Sequence, residues 1–199
     1  MKTADGLYVY DSVASNATAH YLNNLLFLLG GSMNTAVDVD EISAQCSKAN
    51  DIESFDTCIV RAKTVDNQDV LFIASHAVDE AIDPILEIKC EKAVINCDFA
   101  KENGRLTATM NNGETVDYGE VSTLREQYEK IVSVLNWLDG KTSEKPNSTV
   151  MTTESFTKII DYIFENIEFK KFDDIADDKE KNRLYASGLY EKLKTEFYS

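Results

Sequence analysis

Seven short segments of β character follow one another between residues 35 and 118, with no helical pattern between them. They fall near 35–47, 54–65, 69–77, 84–90, 92–99, 105–111 and 115–118. Most carry β-branched or aromatic residues. Turn signals part them at Asn50-Asp51, Asp66-Asn67, Asp83-Pro84, Asn103-Gly104 and Asn112-Gly113. The two Asn-Gly pairs have the form that tight hairpins favour. Without helical crossovers, most neighbours should pair antiparallel. The segment VLFIA at 70–74 is apolar at both parities and reads as a central strand covered on both faces.

Helical patterns flank this run. Residues 7–11, LYVYD, read as a short strand, and a helix is expected from Ser12 or Ser15 to Leu29. Leu22, Leu25, Leu26 and Leu29 recur there at spacings of three and four, and Gly30-Gly31 stop the pattern. After the strands, Leu124, Tyr128, Ile131, Leu135 and Leu138 keep one helix face. Thr123 with Glu126 has the form of a capping box, and Gly140 ends the helix. Phe156, Ile159, Ile160, Ile163 and Phe164 keep the face of a further helix, with Thr152 or Thr153 as its N-cap. The run DDIADDKEK reads as a solvated linker, with a terminal helix after Gly188. The fold class is therefore α+β: a largely antiparallel open sheet with helices on one face. Residues 1–170 form the expected domain, and 171–199 a charged C-terminal extension packed on it or trailing from it.

Charge limits the partners. Asp plus Glu number 35 against 20 Lys plus Arg, a formal net charge of −15. Neither a nucleic-acid backbone nor an anionic lipid surface suits such a chain, because both need clustered cations. The longest apolar run, Leu25 to Leu29, is far short of the roughly 20 residues of a membrane span. The first residues, MKTADGLYVYD, lack the apolar core of a signal peptide. Cys46, Cys58, Cys90 and Cys97 follow no zinc spacing, and three of them lie in β-like runs, so no metal site is expected. Reduced, buried thiols and a cytoplasmic location fit this pattern.

The chain has two histidines, which narrows the search for chemistry. On a helix, Asn16, His20 and Asn23 stand at i, i+4 and i+7 and form one polar line among Ala and Leu. Such a line needs water, mutual hydrogen bonds or a ligand; an exposed helix face also satisfies it. His76 ends the segment LFIASH, where a histidine simply reaches solvent or a backbone group. No G-x-G-x-x-G, P-loop or G-x-S-x-G pattern occurs.

The stretch SNATAHYLNNLLFLLGG, then FDTCIVRAKTVDNQDVLFIASHA and ILEIKCEKAVINCDF, resembles the C-terminal domain of the Gfo/Idh/MocA family over roughly residues 7–170. Those proteins are NAD(P)-dependent oxidoreductases acting mainly on sugars and polyols. The resemblance implies a fold like the C-terminal domain of glyceraldehyde-3-phosphate dehydrogenase. It makes His20 the catalytic histidine and Gly30 the glycine ten residues beyond it. Asn16 and Asn23 stand where the family carries Asp, and they become the substrate-binding residues. A neutral amide cannot hold a charged imidazole as a carboxylate does. The family's Rossmann domain and the catalytic lysine of its E-K-P motif have no counterpart here. Glu144-Lys145-Pro146 matches that motif only in letters, because it sits in a loop between late helices. The resemblance thus implies the substrate-binding and oligomerisation half of a sugar or polyol dehydrogenase, without its cofactor domain and inactive alone. No cofactor would bind this chain, and NAD or NADP would bind the parent. The expected partners are the missing Rossmann domain, a small polyhydroxy substrate, and further copies in a homodimer or homotetramer packed through the sheet. A non-catalytic binding or assembly module with a decayed site is the alternative.

Overall fold

The computed structural model describes residues 2–99, 104–121, 123–180 and 182–199, with the backbone alone over 123–127. The capping box expected of Thr123 and Glu126 therefore lies outside the described side chains. The chain divides into two compact units, Met1–Glu80 with Asn147–Ser199, and Ala81–Pro146. No helix among the described residues is long and apolar enough to cross a membrane.

The first unit holds α1 (Ala19–Leu28), β1 (Val39–Lys48), β2 (Thr57–Thr64), β3 (Asp69–Ser75), α3 (Glu154–Asn166), β8 (Phe169–Lys171), β9 (Ile175–Asp178), β10 (Arg183–Ala186) and α4 (Leu189–Tyr198). Its main sheet runs β3-β2-β1-β8. β1, β2 and β3 form an antiparallel meander, and β8 joins β1 in parallel. Alternation along the strands sends Cys46, Cys58, Val60, Ala62, Val70, Phe72 and Ala74 to one face. Leu22 and Leu26 of α1 and Ile159, Ile160 and Ile163 of α3 complete that core. Full burial of each large side chain stabilises the unit by about 1.5–3 kcal/mol. Phe55, Phe164 and Phe169 close one end, with ring centroids 5.0–5.8 Å apart, and Tyr10 stacks on Phe164 at 4.4 Å.

The second unit holds β4 (Ile85–Lys89), β5 (Ala93–Asp98), β6 (Arg105–Met110), β7 (Thr115–Glu120) and α2 (Thr123–Leu138). Its four strands form an antiparallel meander in chain order. The register puts Leu86, Ile88, Ile95, Cys97, Leu106 and Ala108 on one face and Glu87, Asn96, Thr107 and Asp117 on the other.

All seven β segments are strands, and the α+β class with antiparallel open sheets holds. Several details differ. The strands divide into two four-stranded sheets after β3, where one had been expected. VLFIA lies in β3, an edge strand, and the inner strands of the sheet are β2 and β1. Arg61 and Lys63 concealed this in the sequence. Each is neutralised locally, Arg61 by Glu196 and Lys63 by Asp69 at 3.6 Å. Arg61 alternates with Val60 and Ala62, so its pairing with Glu196 brings α4 to the face opposite α1 and α3. Helices thus serve both faces of this sheet. LYVYD is not a strand; Tyr8 makes one isolated bridge to Lys2. The expected linker DDIADDKEK contains β9, which pairs with β10 in a hairpin. Ala186 and Leu189 bury against Ala49 and Ala77, so the apolar residues between the charges decide that segment.

Cys46, Cys58 and Cys97 are buried free thiols, while Cys90 is exposed. Burial pushes the Cys46 thiol up to about 12 and the Cys58 thiol further up. Burial also raises Cys97, helped by the charge of Asp98. Thiolate is the reactive form. A disulfide reagent at pH 8 should therefore modify Cys90 at least about tenfold faster than the other three, as followed by peptide mass mapping. The raised thiols also carry a stability slope. Above an unfolded value near 8.5 the unfolded chain loses thiol protons that the folded chain keeps, so stability falls as pH rises toward 12. Equal labelling of all four cysteines in the native chain would contradict this placement.

Candidate functional site

The candidate site rests on α1, and α1 begins later than its sequence pattern suggests. Residues 12–18 form turns, and the helix runs Ala19–Leu28. Side-chain hydroxyls are the reason, because they offer the backbone local partners that compete with helix. Ser12 Oγ accepts from the Ser15 N–H at 3.1 Å, Ser15 Oγ donates to the Tyr10 carbonyl, and Thr18 Oγ1 donates to the Val13 carbonyl at 2.5 Å. Asn16 therefore precedes the helix, and the even i, i+4, i+7 line exists only for His20 and Asn23.

The three residues have different surroundings. Asn16 is exposed, and its Nδ2 donates to Asp11 Oδ1 at 3.0 Å. Asp11 carries a carboxylate to the neighbourhood of Asn16, a feature that no motif in the sequence signalled. His20 is exposed, and its imidazole lies against the Tyr21 ring, centroids 3.9 Å apart and tilted by 42°. Asn23 is half-buried; its Oδ1 is buried and accepts no hydrogen bond. An unpaired buried acceptor costs roughly 1–3 kcal/mol, so a donor arriving there would be favoured. His76 lies just past β3; its ring is exposed and its backbone N–H donates to the Asp56 carbonyl at 2.8 Å.

Gly30 fixes the far end of α1. A methyl group there would overlap the Thr35 carbonyl oxygen and lie 2.8 Å from its carbon. The turn folds back this closely because Val37 N–H donates to the Leu26 carbonyl at 2.9 Å, delivering the chain to β1. The glycine therefore sets the direction in which the helix leaves the sheet.

Solved structures share this architecture. UDP-N-acetylglucosamine 3-dehydrogenase GnnA from Acidithiobacillus ferrooxidans matches with a TM-score of 0.60 and 15% identity, over 74% of this chain and 44% of that one. The fold is that of the C-terminal part of Gfo/Idh/MocA-type oxidoreductases. The WlbA dehydrogenase from Bordetella pertussis, solved with NADH and UDP-GlcNAcA, matches with a TM-score of 0.53 and 15% identity, over 78% and 45%. A super-repressor mutant of Gal80p from Saccharomyces cerevisiae matches with a TM-score of 0.52 and 11% identity, over 82% and 48%. The chain spans less than half the length of each of these structures. No family model and no curated protein matches the sequence.

A dinucleotide needs a glycine-rich strand-to-helix turn at a helix N-terminus. Among the described residues, α1 follows the serine turns, α3 follows the 3-10 turn Met151–Thr153, and α4 follows the Ser187-Gly188 turn. α2 follows β7, with one nearby glycine, Gly119, where the fingerprint has three. These residues do not fit a dinucleotide.

Proposed function

We propose that this chain is the substrate-binding and oligomerisation half of an NAD(P)-dependent oxidoreductase acting on a sugar or polyol. The observation that carries the reading is the pairing, on one helix, of an exposed imidazole with a buried carbonyl oxygen that lacks a donor. A polyhydroxy ligand supplies hydroxyl donors suited to Asn23 Oδ1. His20 would accept a proton from a substrate hydroxyl as that carbon is oxidised and return it in the reverse direction, as a positioned general base does. Asn16, tethered to Asp11, would orient the same ligand without adding charge of its own. Two of the structures that share the fold are named or solved with UDP-linked N-acetylated sugars, which supports the substrate class. The dinucleotide would sit on a partner Rossmann domain, in the cytoplasm, and copies would assemble as a homodimer or homotetramer through the sheet.

The test is His20→Ala in the complete oxidoreductase. Turnover should fall by roughly a hundredfold or more while thermal unfolding stays within about 2 °C, because the side chain is exposed. A loss within a factor of two reduces His20 to a surface residue. One observation favours a second reading, a binding module without turnover. Amides replace both family carboxylates, at Asn16 and Asn23, and a repressor shares the fold. In that case His20→Ala would change ligand affinity, with no turnover to lose.

A further inference from the structure

Between Lys2 and Lys48 the chain carries no lysine or arginine, while five carboxylates fall in that stretch: Asp5, Asp11, Asp38, Asp40 and Glu41. Helix α1 lies within it. Lys2 is held over the Tyr8 ring, 4.4 Å from its centroid. Helix α3 packs on α1, and its lysine, Lys158, is engaged by the Asp38 carboxylate at 3.2 Å and by the Val39 carbonyl. Neither α1 nor the helix beside it therefore offers an uncommitted cation to a ligand at His20 and Asn23.

Asp11 is anchored at the start of this helix. Tyr10 before it stacks on Phe164, and the Tyr10 carbonyl accepts from Ser15 Oγ. Ser12 after it is buried, and the Ser12 carbonyl accepts the Asn16 N–H at 3.1 Å. The Asp11 carboxylate accepts from Asn16 Nδ2 at 3.0 Å. The Asn16 carbonyl in turn accepts the N–H of Ala19, the first residue of α1, at 3.4 Å. Two hydrogen bonds thus link the Asp11 charge to the residue before His20, a reach comparable with the screening length of about 8–10 Å at physiological salt. A carboxylate only accepts, so it holds the Asn16 amide with its NH2 toward Asp11 and leaves Oδ1 for a ligand. Asn23 Oδ1 is likewise an acceptor without a donor. Hydroxyls supply donors to such acceptors, and an ammonium group supplies three. A phosphate group brings acceptor oxygens and a charge of about −1.5 to −2, so it is mismatched in both respects. We propose that Asp11 is a specificity residue of the site on α1, selecting polyols that are uncharged or carry an ammonium group and rejecting phosphorylated and nucleotide-linked sugars. The selection rests on the polyol site proposed above and narrows its substrate class.

Titration of the full chain with glucosamine, glucose and glucose 6-phosphate, which share one ring and differ in charge, tests it by NMR. The imidazole protons of His20 and the side-chain amide of Asn23 report binding at the site. Glucosamine should bind at least as tightly as glucose. Glucose 6-phosphate should bind at least about tenfold more weakly than glucose in about 0.1 M salt. In about 1 M salt, where the screening length falls to about 3 Å, that gap should shrink to about threefold. Asp11→Asn removes the charge at an exposed position, so the variant should keep its melting point and narrow the gap in low salt at least about threefold. Asp66→Asn, the same change of charge in the turn between β2 and β3, should leave the gap unchanged. Equal binding of glucose and glucose 6-phosphate overturns the selection and leaves the polyol site standing. A gap that Asp11→Asn leaves as wide as in the wild type does the same. A chain whose His20 and Asn23 signals answer to none of the three sugars overturns the polyol site, and the selection with it.

Discussion

Replacing Asp56 with Ala should cost the first unit about 4 kcal/mol, a large share of the 5–15 kcal/mol that holds a typical domain together. The carboxylate is 5% exposed and accepts five hydrogen bonds. The Ala49 N–H reaches both oxygens, at 3.2 and 3.0 Å. The Asn50 N–H and Nδ2 reach Oδ2, at 3.0 and 2.8 Å, and Thr57 Oγ1 reaches Oδ1 at 3.2 Å. Ala49 is fully buried, so its N–H would lose its partner with no water to replace it. The damage should spread, because Asn50 Oδ1 in turn accepts the Leu184 N–H at 3.4 Å and ties the β9–β10 hairpin to the sheet. Asp56→Asn preserves the shape but turns an amide donor toward other donors, and should recover no more than about half the loss. Urea unfolding followed by circular dichroism measures the loss. Tryptophan emission is the wrong probe, since Trp137 sits in the other unit. Hydrogen exchange at Ala49 and Leu184 should accelerate together in the variant. A loss under about 1 kcal/mol would show that the loop finds other acceptors.

Gly30→Ala should cost about 3 kcal/mol, the upper end for inserting a methyl group into packed structure. The obstacle is backbone, the carbonyl of Thr35, and not the movable tip of a side chain. That carbonyl cannot withdraw freely, because Val37 is bonded to Leu26 two residues on and buries its own side chain. The turn would have to open, and α1, which carries His20 and Asn23, would tilt from the sheet. Two readouts follow. The melting temperature of the first unit should fall by several degrees, since 1 kcal/mol moves a domain of this size by roughly 2–8 °C. The ring-current shift that Tyr21 imposes on the His20 imidazole protons should change as well. A variant that melts within 1 °C of the parent would mean that the turn has slack which the close approach conceals.

The sequence by itself determined the run of seven strands and the helices on either side of it. Period-two alternation and Asn-Gly turns act between neighbours in the chain, and neighbours are visible in one dimension. The glycine at position 30 was legible for the same reason, as a stop after a leucine pattern. Tertiary structure decided the rest. Position 16 fits helical spacing by count, yet local hydroxyl bonds from Ser15 and Thr18 keep it out of the helix. VLFIA looks central because both of its faces are apolar, but it lies at the sheet edge, while Arg61 and Lys63 lie on an inner strand with their charges matched by Glu196 and Asp69, the first far away in the chain. Asp56, one of 35 acidic residues, carries no mark of its role in the sequence. Its four donor groups come together only when β1 and β2 pair around the 49–56 loop. Asn23 likewise shows its unpaired oxygen only after packing has removed water from it. Patterns between chain neighbours can be read directly, whereas which polar atoms lose water, and which partners they then meet, depends on contacts between distant residues that exist only in the folded chain.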